Sequence, residues 1–97
     1  MGTYIVLVKS TDQGAKGVQE IPNRQQASRA TAKQLGVVRK AVYMTFGPYD
    51  FVQIIEAPDD QAVARYLLSV NSKGNVRTTT MRAFDEAEHF EFIKTMP

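Results

Sequence analysis

Two five-residue runs, Tyr4-Ile5-Val6-Leu7-Val8 and Phe51-Val52-Gln53-Ile54-Ile55, are apolar at nearly every position rather than at every second one. Successive strand residues point to opposite faces of a sheet, so strands of this kind present apolar side chains on both. They belong in the middle of a sheet whose two faces are both covered. In a chain of 97 residues, which supports one hydrophobic core, helices can cover only part of that surface.

The segments around these runs define an order. Tyr4 to Val8 is a first strand, closed by the turn and cap formers Lys9 to Gly14. A short turn around Val18 to Ile21 precedes a helix over Arg24 to Leu35, capped by Asn23 and stopped by Gly36. Ala27, Ala30, Thr31 and Leu35 share a face of it. Val37 to Phe46 and Asp50 to Ala57 read as an antiparallel pair joined by Gly47-Pro48-Tyr49. Pro58-Asp59-Asp60 opens a second helix with Ala62, Val63, Tyr66, Leu67 and Val70 on one face. Asn75 to Phe84 is a polar, threonine-rich edge strand, and Asp85 to Lys94 a C-terminal helix. The order β-α-β-β-α-β predicts an α+β, ferredoxin-like antiparallel sheet with two helices on one face. Residues 3–84 form the core of a single domain, with 85–97 as a helical tail.

Alternation then divides the strands. If the helices cover the more aliphatic face, Ile5, Leu7, Val42, Met44, Val52, Ile54, Met81 and Ala83 are core. Tyr4, Val6, Val8, Arg39, Ala41, Tyr43, Thr45, Phe51, Gln53, Ile55, Val76, Thr78, Thr80, Arg82 and Phe84 face outward; a bulge in the second or fourth strand would reverse its later residues. Val6, Val8, Phe51 and Ile55 then form an apolar patch that a second copy of the sheet would cover, which predicts a homodimer or higher homo-oligomer.

Composition removes several functions. The absence of cysteine excludes disulfides, thiolate metal sites and cysteine nucleophiles, and fits a reducing compartment. A net charge of +2, without interleaved exposed aromatics near Arg24, Arg29, Lys33, Arg39 and Lys40, does not describe a nucleic-acid binder. Apolar runs are far shorter than the roughly 20 residues of a membrane helix, and no leader peptide is read at the start. A soluble, cytoplasmic protein without membrane partners is expected. The single histidine, His89, lacks a set of co-ligands at metal-binding spacing, so no metal and no cofactor is called for.

Three stretches resemble a known family: Thr3-Tyr4-Ile5-Val6-Leu7-Val8 with Thr11-Asp12-Gln13-Gly14; Phe46-Gly47-Pro48-Tyr49-Asp50-Phe51-Val52 with Glu56-Ala57-Pro58-Asp59-Asp60; and Gly74 through Phe84. Together they resemble the GYD-domain family over about residues 3 to 84. The naming signature falls on Gly47, Tyr49 and Asp50, with Pro48 at the variable position. The resemblance implies a small bacterial subunit of the dimeric α/β-barrel type, with no assigned biochemistry and no catalytic mechanism. Families of similar architecture include cofactor-free monooxygenases, isomerases, haem enzymes and amino-acid sensing domains, among which fold alone does not choose.

The chemistry-bearing residues fall into two groups. Tyr49 beside Asp50 could orient a polar ligand or move a proton; the structural alternative is a hairpin shaped by Gly47 and Pro48 with Asp50 bonded to backbone. Thr78, Thr80 and Arg82, with Tyr43 and Gln53 from neighbouring strands, could floor a recess for a small organic or anionic ligand; the alternative is a solvated edge strand. Two functions follow. One is an oligomeric ligand-binding or structural module with a recess on the open sheet face. The other is a cofactor-independent monooxygenase or isomerase, which needs at least two of Tyr43, Tyr49, Asp50 and Arg82 to converge on one point.

Overall fold

The computed structural model describes all residues, Met1–Pro97. In chain order the elements are β1 (Gly2–Ser10), α1 (Asp12–Lys16), a 3₁₀ turn (Val18–Glu20), α2 (Ile21–Gln34), β2 (Val38–Met44), β3 (Phe51–Ala57), α3 (Asp60–Ser72), β4 (Val76–Ala83) and α4 (Glu86–Lys94). The strands form one antiparallel sheet in the order β2-β3-β1-β4. The two most apolar strands are therefore its centre, and the fold is the ferredoxin-like α+β arrangement.

Local chemistry accounts for the element ends. Asp59 caps α3 by accepting from Ala62 N at 2.8 Å. Asp85 and Glu88 form a reciprocal capping box at α4. α2 begins earlier than its sequence suggests, at Ile21, because Pro22 sits in the first turn, where its missing N–H costs nothing. Asn23 is consequently inside the helix and bonds Glu20 instead of capping.

α2 and α3 cover one face of the sheet, and that face is the opposite of the one expected from aliphatic content. Tyr4, Val6, Val8, Ile55 and Ala57 are buried beneath the helices, with Val6 1% and Ile55 0% exposed. Phe51 packs against the same core. Val6, Val8, Phe51 and Ile55 are thus core, not an interface. Ile5, Leu7, Val52, Ile54, Met81 and Ala83 lie on the other face. Both sets are comparably apolar, so composition carries no information about which one the helices meet. The tertiary pairing and packing decide that: β1 pairs so that Tyr4, Val6 and Val8 join Ile55 and Ala57 beneath the helices.

Strand β2 is divided by a bulge between Arg39 and Ala41. Before it, Arg39 pairs with Ile55 and points under the helices; after it, Ala41 pairs with Ile54 and Tyr43 with Val52 on the open face. Val42 and Met44 therefore share the helix-covered side with Gln53 and Phe51, apart from the Val52 and Ile54 with which alternation groups them, and Met44 at 70% exposed is not core; Arg39 does not face outward. On β4, Thr78, Thr80 and Arg82 pair with Val8, Val6 and Tyr4 and also belong to the helix-covered side.

The Thr11–Gly14 segment clamps the loop between α3 and β4. Thr11 N donates to Asn75 O at 3.0 Å and its hydroxyl to Gly74 O at 2.6 Å. Gln13 Nε2 reaches Lys73 O at 3.1 Å and Asn75 Oδ1 at 3.0 Å. Gly74 takes a φ of +81°, and the backbone of Asn75 comes so close to Gly14 that a Cβ there would lie 2.0 Å from its oxygen. Gly14→Ala should accordingly lower stability by about 1–3 kcal/mol, the range for overpacking, read as a reduced urea midpoint at unchanged slope.

Candidate functional site

The Gly47-Pro48-Tyr49-Asp50 turn is the sharpest motif in the sequence, and its groups are turned inward on the backbone. Asp50 Oδ2 accepts from Ser10 N at 2.7 Å, while Asp50 N donates to Val8 O at 2.8 Å. Thr45 closes the hairpin, its N–H donating to Asp50 O and its hydroxyl to Tyr49 O at 2.7 Å. Gly47 supplies the left-handed φ of +98°. The signature is a splice: it extends the β1–β3 pairing past the last ladder residue and holds the start of β3 in register.

That splice fixes one end of a cavity of about 280 Å³ between the sheet and the helices. Its floor comes from Val8, Phe51, Gln53 and Val76, and its roof from α2 and the C-terminal half of α3. The reason for the space is local. Beyond Ile21 in its first turn, α2 offers Arg24, Gln25, Ala27, Ser28 and Thr31 to this part of the sheet and no further large aliphatic group. α3, by contrast, buries Val63 and Tyr66. The two helices therefore fill the layer unequally.

A buried polar chain runs along the wall. Arg39 donates to Ser28 Oγ at 2.6 Å, to Gln25 O at 3.2 Å and to the Tyr66 hydroxyl at 3.5 Å, while its Nε is buried without a partner. A guanidinium can only donate, so the Tyr66 oxygen accepts and its own proton goes to Gln53 Oε1, at 2.8 Å. Gln53 is only 8% exposed. Its amide orientation follows from the chain of donors, which leaves Nε2 as the end without a protein partner. Sequence reading selected Gln53 but placed it on the open face; it missed Arg39, Tyr66, Ser28 and Arg24 as site residues. A signal existed in the small and polar residues one turn apart on α2, which are poor fillers of a core.

The other end of the covered face holds a smaller recess lined by Tyr4, Asp60, Thr80 and Arg82. The Tyr4 hydroxyl donates to Asp60 Oδ1, and the Arg82 guanidinium lies 5.3 Å from the Tyr4 ring centroid and 4.4 Å from that of Phe84. Arg82 also donates to the carbonyls of Thr3 and Ala83. The Thr80 hydroxyl oxygen is buried without a partner, whereas Thr78 accepts from Asn71 Nδ2 at 2.9 Å.

Of the residues selected from sequence, Thr80 and Arg82 share the smaller recess, and the others are dispersed. Tyr43 is exposed on the open face and Tyr49 and Asp50 sit in the turn. Arg82 is opposite Tyr4, about 20 Å along β1 from Asp50's contact with Ser10 at strand spacing. The convergence that an acid–base site among Tyr43, Tyr49, Asp50 and Arg82 requires is not assembled.

Sheet order, helix placement and recess together define a ferredoxin-like α+β domain with a recess between sheet and helices and one sheet face bare of α2 and α3. The GYD domain model matches residues 4–93, and the chain belongs to that family. The match runs beyond the strands into α4. A Thermus thermophilus protein described as a glutamine synthetase and cystathionine beta-lyase binding protein is 39% identical over 95 residues, spanning 97% of this chain and all of that one. A crystal structure of a Thermus thermophilus protein is similar with a TM-score of 0.57 at 28% identity, covering 88% of this chain and 95% of its own. The Mycobacterium tuberculosis protein AldR has the same fold, with a TM-score of 0.68 at 20% identity over 88% of this chain and 52% of that chain.

The Tyr4–Asp60 bond has a pH consequence. Donation to Asp60, then burial and the negative charge of Asp60, raise the Tyr4 phenol above its ordinary 10.0, with Arg82 opposing. A group whose protonated form is favoured by folding contributes its full stabilisation below the unfolded pKa and loses it as pH rises through the folded one. Thermal midpoints should therefore fall above about pH 10 in the parent protein, and more shallowly in Tyr4→Phe.

Proposed function

We propose that this protein is a non-catalytic binding module: a subunit that assembles with itself, takes up a small molecule beneath α2 and α3, and presents the assembly to a protein partner. The cavity carries this reading. It lies between an under-filled helix and the sheet, is walled by an ordered polar chain, and is about twice the size of an engineered apolar cavity that holds one benzene. The relative described as an enzyme-binding protein supports the final clause, since it matches nearly the whole chain. The open sheet face does not provide the recess expected from sequence, because Gln53, Thr78, Thr80 and Arg82 face the helices and only Tyr43 remains on it.

The reading is tested with a neutral probe of cavity size, 3-phenyl-1-propanol, followed by methyl NMR. Saturable shifts at Val8, Val70 and Val76, all of which line the cavity, are expected while methyls of the open face stay still. Shifts confined to the open face, or none at millimolar probe, would remove the cavity as a binding site.

Self-assembly is supported by what the two layers leave uncovered. Ile5, Leu7, Val52, Ile54 and Met81 form a contiguous face that neither α2 nor α3 touches, and Tyr43 and Ala41 continue it onto β2. The accessible surface is 6662 Å², against roughly 5,500 Å² for a compact monomer of this mass. The excess is on the scale of the ~800 Å² that one partner contributes to a stable interface. α4 adds to it: the helix extends from the body with Phe90, Phe92 and Ile93 exposed, and the radius of gyration is 14.7 Å where about 12.5 Å is usual. Sedimentation velocity at micromolar concentration should show at least a dimer. Ile54→Lys, which places charge at the centre of that face without disturbing the core, should yield a folded monomer; a parent protein that sediments as a monomer contradicts the assembly.

A further inference from the structure

Resting on the cavity as a binding site, we infer that its ligand is a small amphiphilic carboxylate, with the acid group held between Arg24 and the Gln53 amide and an apolar body over Val8, Phe51 and Val76. Charge is the first observation. The cavity lining contains two cationic side chains, Arg24 and Lys73, and no carboxylate. Asp50, the nearest carboxylate in sequence to the lining residue Phe51, is not itself in the lining and is engaged by the N–H of Ser10. Two cations beside low-polarity walls favour an anion and disfavour an amine.

The donors are placed for an oxygen acceptor. Arg24 Nη2 is held by the carbonyls of Gly14 and Gly17, which fixes the guanidinium at the cavity edge and leaves Nη1 and Nε without protein partners. A fixed planar fork matches a carboxylate in geometry as well as charge. The second donor is independent of it. Gln53 is more than nine-tenths buried, lines the cavity, and has its Oε1 occupied by Tyr66, so Nε2 is the end available to a ligand. The Arg39–Tyr66 relay sets this polarity, because reversing the amide would set a donor against the Tyr66 proton. Nε2 has no protein acceptor and a ligand oxygen in the cavity could accept from it.

Size and apolar content complete the class. About 280 Å³ accommodates a body of roughly ten to twelve non-hydrogen atoms, scaling from the benzene cavity. Val8, Phe51, Val70 and Val76 would bury a ring or branched chain, while the acid reaches the α2 end.

Three probes of one size separate the components: 3-phenylpropionate, 3-phenyl-1-propanol and 3-phenylpropylamine, titrated by calorimetry and methyl NMR on the full chain. The carboxylate should bind at least about tenfold more tightly than the alcohol, and the amine more weakly than either. In Arg24→Gln the carboxylate preference should disappear while alcohol binding persists, which also shows that the variant retains its cavity. Equal affinities for carboxylate and alcohol in the parent protein, or a preference that survives Arg24→Gln, overturn the ligand class and leave the cavity reading intact. Failure of all three probes overturns both. Should Arg24→Gln not fold, the parent protein decides alone: an amine that binds as well as the carboxylate refutes the inference.

Discussion

The pairing of β1 on both of its edges is the constraint from which the other features follow. Its residues are matched one for one with β3 from Gly2 to Val8 and with β4 from Thr3 to Ser10. Side chains alternate with a period of two, so displacing this register by one residue would exchange Val6 and Ile55 beneath the helices for Ile5 and Ile54. The GYD turn and the Thr11–Gly14 clamp act on the same end of this strand. Asp50 holds Ser10, and Thr11 holds Gly74 and Asn75. Motifs far apart in sequence thus secure one register.

From that register the cavity follows. Val8, Phe51, Gln53 and Val76 are brought side by side under α2, whose central residues are too small or too polar to fill the layer. The space is kept from collapse by a set of hydrogen bonds rather than by volume. Arg39 is tied to α2 through Ser28 and Gln25, and Tyr66 ties α3 to Gln53 on β3. A polar network of this kind stabilises most when its members are satisfied; here Arg39 Nε is buried without a partner, and Gln53 Nε2 has no protein acceptor beside the cavity.

The two sheet faces have different tasks. The covered face combines core and cavity; the open face and α4 carry apolar side chains that α2 and α3 leave uncovered. Small domains gain disproportionately from burial between subunits, since a chain of this length covers only some three-fifths of its unfolded surface by itself. The bulge at Lys40 fits this division. It turns Arg39 inward to the network and the residues from Ala41 onward the other way, so that one strand serves both faces.

Element order, antiparallel hairpin, strand placement and family are determined by the sequence alone, because each rests on a local or near-local pattern. The apolar continuity of β1 and β3 puts them in the centre, and Gly47, Pro58 and Asp59 set the turns. The covered face was not legible there. Val6 with Ile55 and Ile5 with Ile54 are equally apolar alternatives, and only the packing of the helices on the paired strands chooses between them. The site shared that fate: Gln53 is visible as a polar residue in an apolar run. The use of its amide depends on Tyr66 and Arg39, which a bulge and two separate helices bring to it in space.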